Sequence, residues 1–88
     1  MGKTSRTYRL KVTTQAQQLV SESEKRVFFM AYNNGTAKVY VLSAQNLTSD
    51  DGIPVAVGSH YKNDTSTAAF WIIAESDTQD IRVEVDSK

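Results

Sequence analysis

Residues 26–42 read Arg26-Val27-Phe28-Phe29-Met30-Ala31-Tyr32-Asn33-Asn34-Gly35-Thr36-Ala37-Lys38-Val39-Tyr40-Val41-Leu42. Two β-rich runs flank a turn dipeptide. Asn34-Gly35 is the strongest short-range hairpin signal, because both central residues of a type I′ turn need positive φ. A two-residue turn there pairs Tyr32 with Ala37, Met30 with Val39 and Phe28 with Val41. It places those residues on one inward face and Val27, Phe29, Ala31, Lys38, Tyr40 and Leu42 on the other. A connection longer by one residue would exchange the faces of one strand, so the assignment depends on the turn.

Outward from this segment the chain continues in short β-type pieces. Thr7 to Thr13 alternates strictly, with Tyr8, Leu10 and Val12 on one face, as a half-buried strand does. Asp80 to Asp86 alternates equally cleanly, with Ile81, Val83 and Val85 inward. The outward residues are basic on the first strand and mixed, mostly acidic, on the last, which suits cross-strand pairing of the two. Gln15 to Lys25 is ambiguous. Thr14 and Gln17 have the spacing of a capping box and Ala16, Leu19 and Val20 could line a short helix, but the apolar stripe is thin and an extended segment or loop is the better reading. Ile53 to Val57 reads as a short strand whose Pro54 suits an edge or strand start. Ser59 to Asn63 is a further strand. Ala68 to Ala74, holding Phe70, Trp71, Ile72 and Ile73, is apolar on both faces, as in a central strand, and Trp71 reads as core. The fold expected is all-β: a small single-domain β-sandwich, or partly open barrel, of about seven short, mainly antiparallel strands.

The 88 residues make one domain, which buries roughly 60–65% of the surface its unfolded chain exposes. That supports one core and leaves little for a deep substrate cleft. Residues 1–88 form one unit, with residues 1–6 expected as a flexible basic arm. The chain has no cysteine, so neither disulfides nor thiolate metal sites staple it, which fits folding in a reducing cytosol. No stretch approaches the ~20 apolar residues that span a bilayer, and the N-terminus shows no apolar signal region. Three Asn-x-Ser/Thr sequons, at Asn34, Asn46 and Asn63, read as turn residues.

Net charge is zero but unevenly placed. Residues 1–26 carry six basic and two acidic groups, and residues 27–88 carry four basic and eight acidic ones. Lys3, Arg6, Arg9 and Lys11 lead the chain with no acid among them. A nucleic-acid binder shows a domain-wide basic footprint with stacking aromatics, and only Tyr8 lies nearby, so nucleic acid is not the expected partner. His60 is the sole histidine, which excludes a multi-histidine metal site and reads best as a surface residue. Asp50, Asp51 and Asp64 lie in turns without EF-hand spacing. Ser43, Ser49 and Ser59 lack a nucleophile elbow, and no glycine-rich phosphate loop occurs. No catalytic, cofactor-binding or metal-binding residue is assigned, and no enzyme activity is expected. The least ordinary feature is the second apolar face of the Val27–Leu42 unit. Phe29, Tyr40 and Leu42 would make an outer patch larger than a monomer normally leaves open. It is either covered by the N-terminal arm or the Gln15–Lys25 segment, or it contacts another protein.

The segment Arg26-Val27-Phe28-Phe29, then Tyr32-Asn33-Asn34-Gly35-Thr36-Ala37-Lys38-Val39-Tyr40-Val41, resembles one common in small tailed-bacteriophage proteins. The resemblance continues through Asn46-Leu47-Thr48, Gly52-Ile53-Pro54-Val55, Gly58, Ala69 to Ala74 and Asp80 to Val83, covering about residues 26–85. In those proteins a proline typically precedes the glycine of the second turn, where this chain has Val57-Gly58. The resemblance implies a β-sandwich virion component, a head decoration or other accessory structural protein, with no catalytic residues to carry over. It implies a chain made in the host cytoplasm and located in the virion, whose partners are capsid or other virion proteins or further copies of itself. The alternative is a β-sandwich module that recognises a host glycan or receptor through loops around Asp50–Gly52 or Asn63–Ser66. A solvent-open Trp71 indole would favour that alternative.

Overall fold

A computed structural model describes residues 4–88. Eight strands follow one another: β1 (Thr4–Val12), β2 (Gln17–Val20), β3 (Arg26–Asn33), β4 (Val39–Leu42), β5 (Ile53–Val55), β6 (His60–Asn63), β7 (Phe70–Ala74) and β8 (Gln79–Ser87), with one 3₁₀ turn over Ser49–Asp51. They form two four-stranded sheets, ordered β1-β8-β3-β6 and β2-β7-β4-β5. Every pairing is antiparallel. The all-β sandwich expected from the sequence is therefore the fold, with eight strands rather than about seven. Only the β4–β5 connection stays within a sheet, and every other connection crosses to the opposite one. Eight strands wound this way between two sheets make a jelly roll.

The terminal strands pair along their whole length, from Thr4 opposite Ser87 to Val12 opposite Gln79. Lys11 faces Asp80, whereas Arg9 faces Arg82, so charge complementarity in this ladder is partial. Of the basic arm expected over residues 1–6, residues 1–3 lie outside the described residues, and Thr4, Ser5 and Arg6 open β1. The Gln15–Lys25 segment is extended where it pairs, as β2 against β7. Pro54 sits in β5 at the edge of its sheet, where a missing N–H costs no ladder bond.

The core lies between the sheets. Val12, Phe29, Ala31, Ile81 and Val83 come from the first sheet, and Leu19, Val20, Val39, Val41, Val55, Ile72 and Ala74 from the second. Each fully buried Val, Leu, Ile or Phe contributes about 1.5–3 kcal/mol relative to exposure. Phe29 is wholly buried and centres an aromatic group, its ring 5.1 Å from Phe70 and 5.9 Å from Tyr61.

The hairpin expected at Asn34-Gly35 does not form. β3 and β4 lie in different sheets, so residues 34–38 bridge the gap of about 10 Å between packed sheets. Gly35 is not at positive φ; the glycine that is, among the described residues, is Gly58 at 81°. The inward face of β3 is consequently the opposite of the one the hairpin register implies. Phe29, Ala31 and Asn33 point into the core, whereas Phe28, Met30 and Tyr32 lie half-buried on the outer face. Val39 and Val41 face inward as expected.

Candidate functional site

Two buried polar clusters hold the sheets in place and so determine which side chains reach the surface. At one end Asn33, fully buried, donates from Nδ2 to the carbonyls of Ala37 and Val55, both at 2.9 Å, and its Oδ1 accepts from the Gly35 N–H. Gln79 completes this cluster, accepting at Oε1 from the N–H groups of Thr36 and Ala37 and donating to Ser76 O. Arg26 performs the same task at the other end. Its guanidinium donates to the carbonyls of Ser21 (2.6 Å), Ser66 (2.9 Å) and Ala68 (2.6 Å) and lies 5.1 Å from the Phe29 ring centre. Burial lowers its pKa from the ordinary arginine value. A register shift between Arg26 and Phe28 turns Arg26 inward, on the same side as Phe29.

The contact face expected from Phe29, Tyr40 and Leu42 is split by this topology. Phe29 is core and is not available to a partner. Tyr40 and Leu42 point out of the second sheet, but Leu42 is only 1% exposed. The backbone at Gly52 closes over it: a Cβ there would lie 2.8 Å from Leu42 Cδ2 and 2.7 Å from Tyr40 Cβ. Glycine is required at that close approach. The cover for Leu42 is thus the chain around Gly52, not the N-terminal arm or the Gln15–Lys25 segment.

What remains on the outer face of the second sheet is a part-exposed row. Tyr40 is flanked in register by Ile73 of β7 and Pro54 of β5. Trp71 lies one row along, opposite Leu42 and Gln18. Trp71 is not the core residue that the sequence suggests: Ile72 and Ala74 take the inward positions of β7, which leaves Trp71 and Ile73 on the outside, half-buried. Tyr40 Oη donates to Glu75 at 3.0 Å, and this bond to a carboxylate holds the phenol above its ordinary pKa.

The outer face of the first sheet is striped. β1 presents Arg9 and Lys11, β8 presents Asp80, Arg82, Glu84 and Asp86, β3 presents Phe28, Met30 and Tyr32, and β6 presents His60 and Lys62. A depression of about 400 Å³ opens there among Thr7, Arg9, Met30, Arg82 and Glu84. The strand phase already turns the charged residues of β1 and β8 outward, and the hairpin register inverts only β3, with Phe28, Met30 and Tyr32. A second hollow, of about 250 Å³, lies between the free edges of β1 and β2 and is lined by Arg6, Tyr8, Val20 and Arg26 among others. Tyr8 Oη donates to Leu19 O across it, and burial raises the Tyr8 pKa.

His60 stands exposed on the edge strand β6, as the surface reading expected. Asp51 is taken up locally, accepting from the N–H and hydroxyl of Thr48. Asn63 likewise caps its own turn, accepting from the N–H groups of Thr65 and Ser66. Among the described residues no group of three or more His, Cys, Asp or Glu side chains is placed to hold a metal ion.

The sequence matches no family model and no curated protein. In fold the chain is similar to a protein from the disulfide-linked pili that form Bacillus endospore appendages. The TM-score is 0.54 over 99% of this chain and 87% of that one, at 11% identity. A likeness at that identity establishes a shared fold and carries no assignment of function.

Proposed function

We propose that this chain is a non-enzymatic structural protein of a tailed-bacteriophage virion, a head decoration or other accessory component, that docks on the particle through the outer face of the β2-β7-β4-β5 sheet. The observation that carries the docking face is the row of Tyr40, Ile73 and Pro54 with Trp71 beside it, left part-exposed on the outside of an otherwise well-buried sandwich. Aromatic side chains with neighbouring aliphatic ones are the usual anchors of protein interfaces. The virion is indicated by the sequence resemblance over residues 26–85. Weak contacts of one small domain suffice when the particle offers many equivalent sites. With no cysteine, the chain attaches without disulfides, unlike the pili whose fold it shares.

The test is co-sedimentation with virions that lack the protein. Wild type should pellet with the particles, and Tyr40→Asp and Ile73→Asp should each bind about tenfold more weakly or worse, because a carboxylate forced into an apolar contact is desolvated. Binding by both folded variants at the wild-type level removes this face. A wild-type chain that pellets with no virion removes the virion reading.

One observation favours a second reading, the glycan-binding module. Trp71 lies outside the core with Gln18 opposite it in register, an indole beside an amide. Because it is the sole tryptophan, its fluorescence reports directly on that position. A saturable change on titration with host surface glycans supports recognition there, and an unchanged spectrum dismisses it.

A further inference from the structure

We infer that the outer face of the β1-β8-β3-β6 sheet is a self-complementary surface that takes a second copy of this chain, packed face to face about a two-fold axis running along β3. This interface lies on the opposite side of the sandwich from the docking face proposed above and does not depend on it.

The inference starts from register. Glu84 of β8, Met30 of β3 and Lys62 of β6 lie side by side in one row across the sheet. An acidic, an apolar and a basic side chain therefore stand at equal spacings, with the apolar one in the middle. Rotation by 180° about an axis along β3 keeps height along the strands and exchanges left with right. Met30 then meets its own copy, Glu84 meets the second copy's Lys62, and Lys62 meets the second copy's Glu84. A two-fold contact of this kind satisfies both ion pairs with one surface. Phe28 and Tyr32, one row to either side of Met30, also meet their own copies, so the apolar ridge of β3 packs on itself. Aligned strands on facing sheets are an ordinary packing mode.

Two other arrangements of the same faces are worse. An axis across the strands at the height of Met30 lays β8 on β8 and β6 on β6, setting Glu84 against its own copy and Lys62 against its own copy. An axis between β8 and β3 puts Glu84 on Met30 and Arg9 on His60, leaving a carboxylate against an apolar group. In the favoured arrangement Arg82 faces the second copy's His60, and its charge is already matched by Asp80 at 3.0 Å. The depression bordered by Thr7, Met30 and Glu84 lies where the second copy's Lys62 arrives, giving its long side chain room.

Sedimentation equilibrium tests this on the intact chain. Wild type should approach twice the 9.8 kDa monomer mass as concentration rises. Glu84→Lys sets Lys against Lys and Lys62→Glu sets Glu against Glu, so each should raise the dimer dissociation constant about tenfold or more. The double exchange restores opposite charges and should recover most of the dimer. Because the natural chain has no cysteine, a Met30→Cys variant supplies an independent readout: a short bis-maleimide should join two copies, and the same reagent on Tyr40→Cys should not. A wild type that stays monomeric overturns the inference. So does a double exchange no better than the single ones, or cross-linking through Cys at 40 but not at 30. Particle binding by Tyr40→Asp reports separately on the docking face.

Discussion

Gln79, at the start of β8, closes over Gly35 in the β3–β4 connection. Its Oε1 accepts from the N–H groups of Thr36 at 2.6 Å and Ala37 at 3.0 Å, and its Cβ and Cδ lie 3.1 Å from where a Gly35 Cβ would stand. The carboxamide oxygen would be nearer still. Glycine is needed here for close approach, not for a left-handed backbone. Gly35→Ala should therefore destabilise by about 1–3 kcal/mol, by displacing a buried amide from its partners. Gly35→Asn distinguishes the two causes, since asparagine tolerates positive φ but not this crowding. Urea unfolding should show Asn at least as damaging as Ala, and a well-tolerated Asn would return the turn to the left-handed explanation.

Arg26 is only 4% exposed and spans the Ser21 and Ser66–Ala68 carbonyls from one position. Arg26→Met leaves three carbonyls to find other partners, and Arg26→Lys cannot reproduce the planar fork. Each should cost about 2–4 kcal/mol, read as a lower melting temperature. A lysine variant as stable as wild type would mean that charge alone, without the fork, holds that end.

Phe29 and Tyr40 should part company under the same substitution. Phe29→Ala removes the centre of the aromatic group and should cost about 3–5 kcal/mol, and Phe29→Asp should abolish cooperative folding. Tyr40→Asp, on the outer face, should leave the circular dichroism spectrum and the melting curve close to wild type. The inverse result would place β3 in the hairpin register after all.

Asp80 gives the chain an acid-sensitive component. Its hydrogen bond from Asn34, then its bonds from Arg82, lower its pKa in the folded state. A group depressed on folding stabilises the fold fully above its unfolded value, about 3.9, and loses that contribution as pH falls through the folded value. Urea midpoints of wild type and Asp80→Asn should thus differ most near about pH 6 and converge towards about pH 2. A gap that does not narrow with acid would show that the carboxylate charge contributes nothing there.

Most of the strands follow from local patterning. Alternation in Thr7–Thr13 and Asp80–Asp86 placed Tyr8, Leu10, Val12, Ile81, Val83 and Val85 on the correct sides, because a period of two is a local property of extended backbone. The edge position of Pro54 followed from equally local chemistry, whereas Gln15–Lys25 was locally ambiguous and its pairing with β7 settled it as a strand over Gln17–Val20. Which strand pairs with which was decided only in three dimensions. Asn34-Gly35 has the composition of a tight hairpin, yet the Asn33 and Gln79 side chains bind the backbone of residues 35–37 and carry the chain into the other sheet. Those bonds join residues up to 43 positions apart, a range at which no local signal operates. Of the expected contact face, Phe29 was lost to the same cause, whereas Leu42 was lost to the chain that packs over it at Gly52. A change of partner at one connection reverses the faces of β3, sending Phe29 into the core and bringing Phe28, Met30 and Tyr32 to the surface.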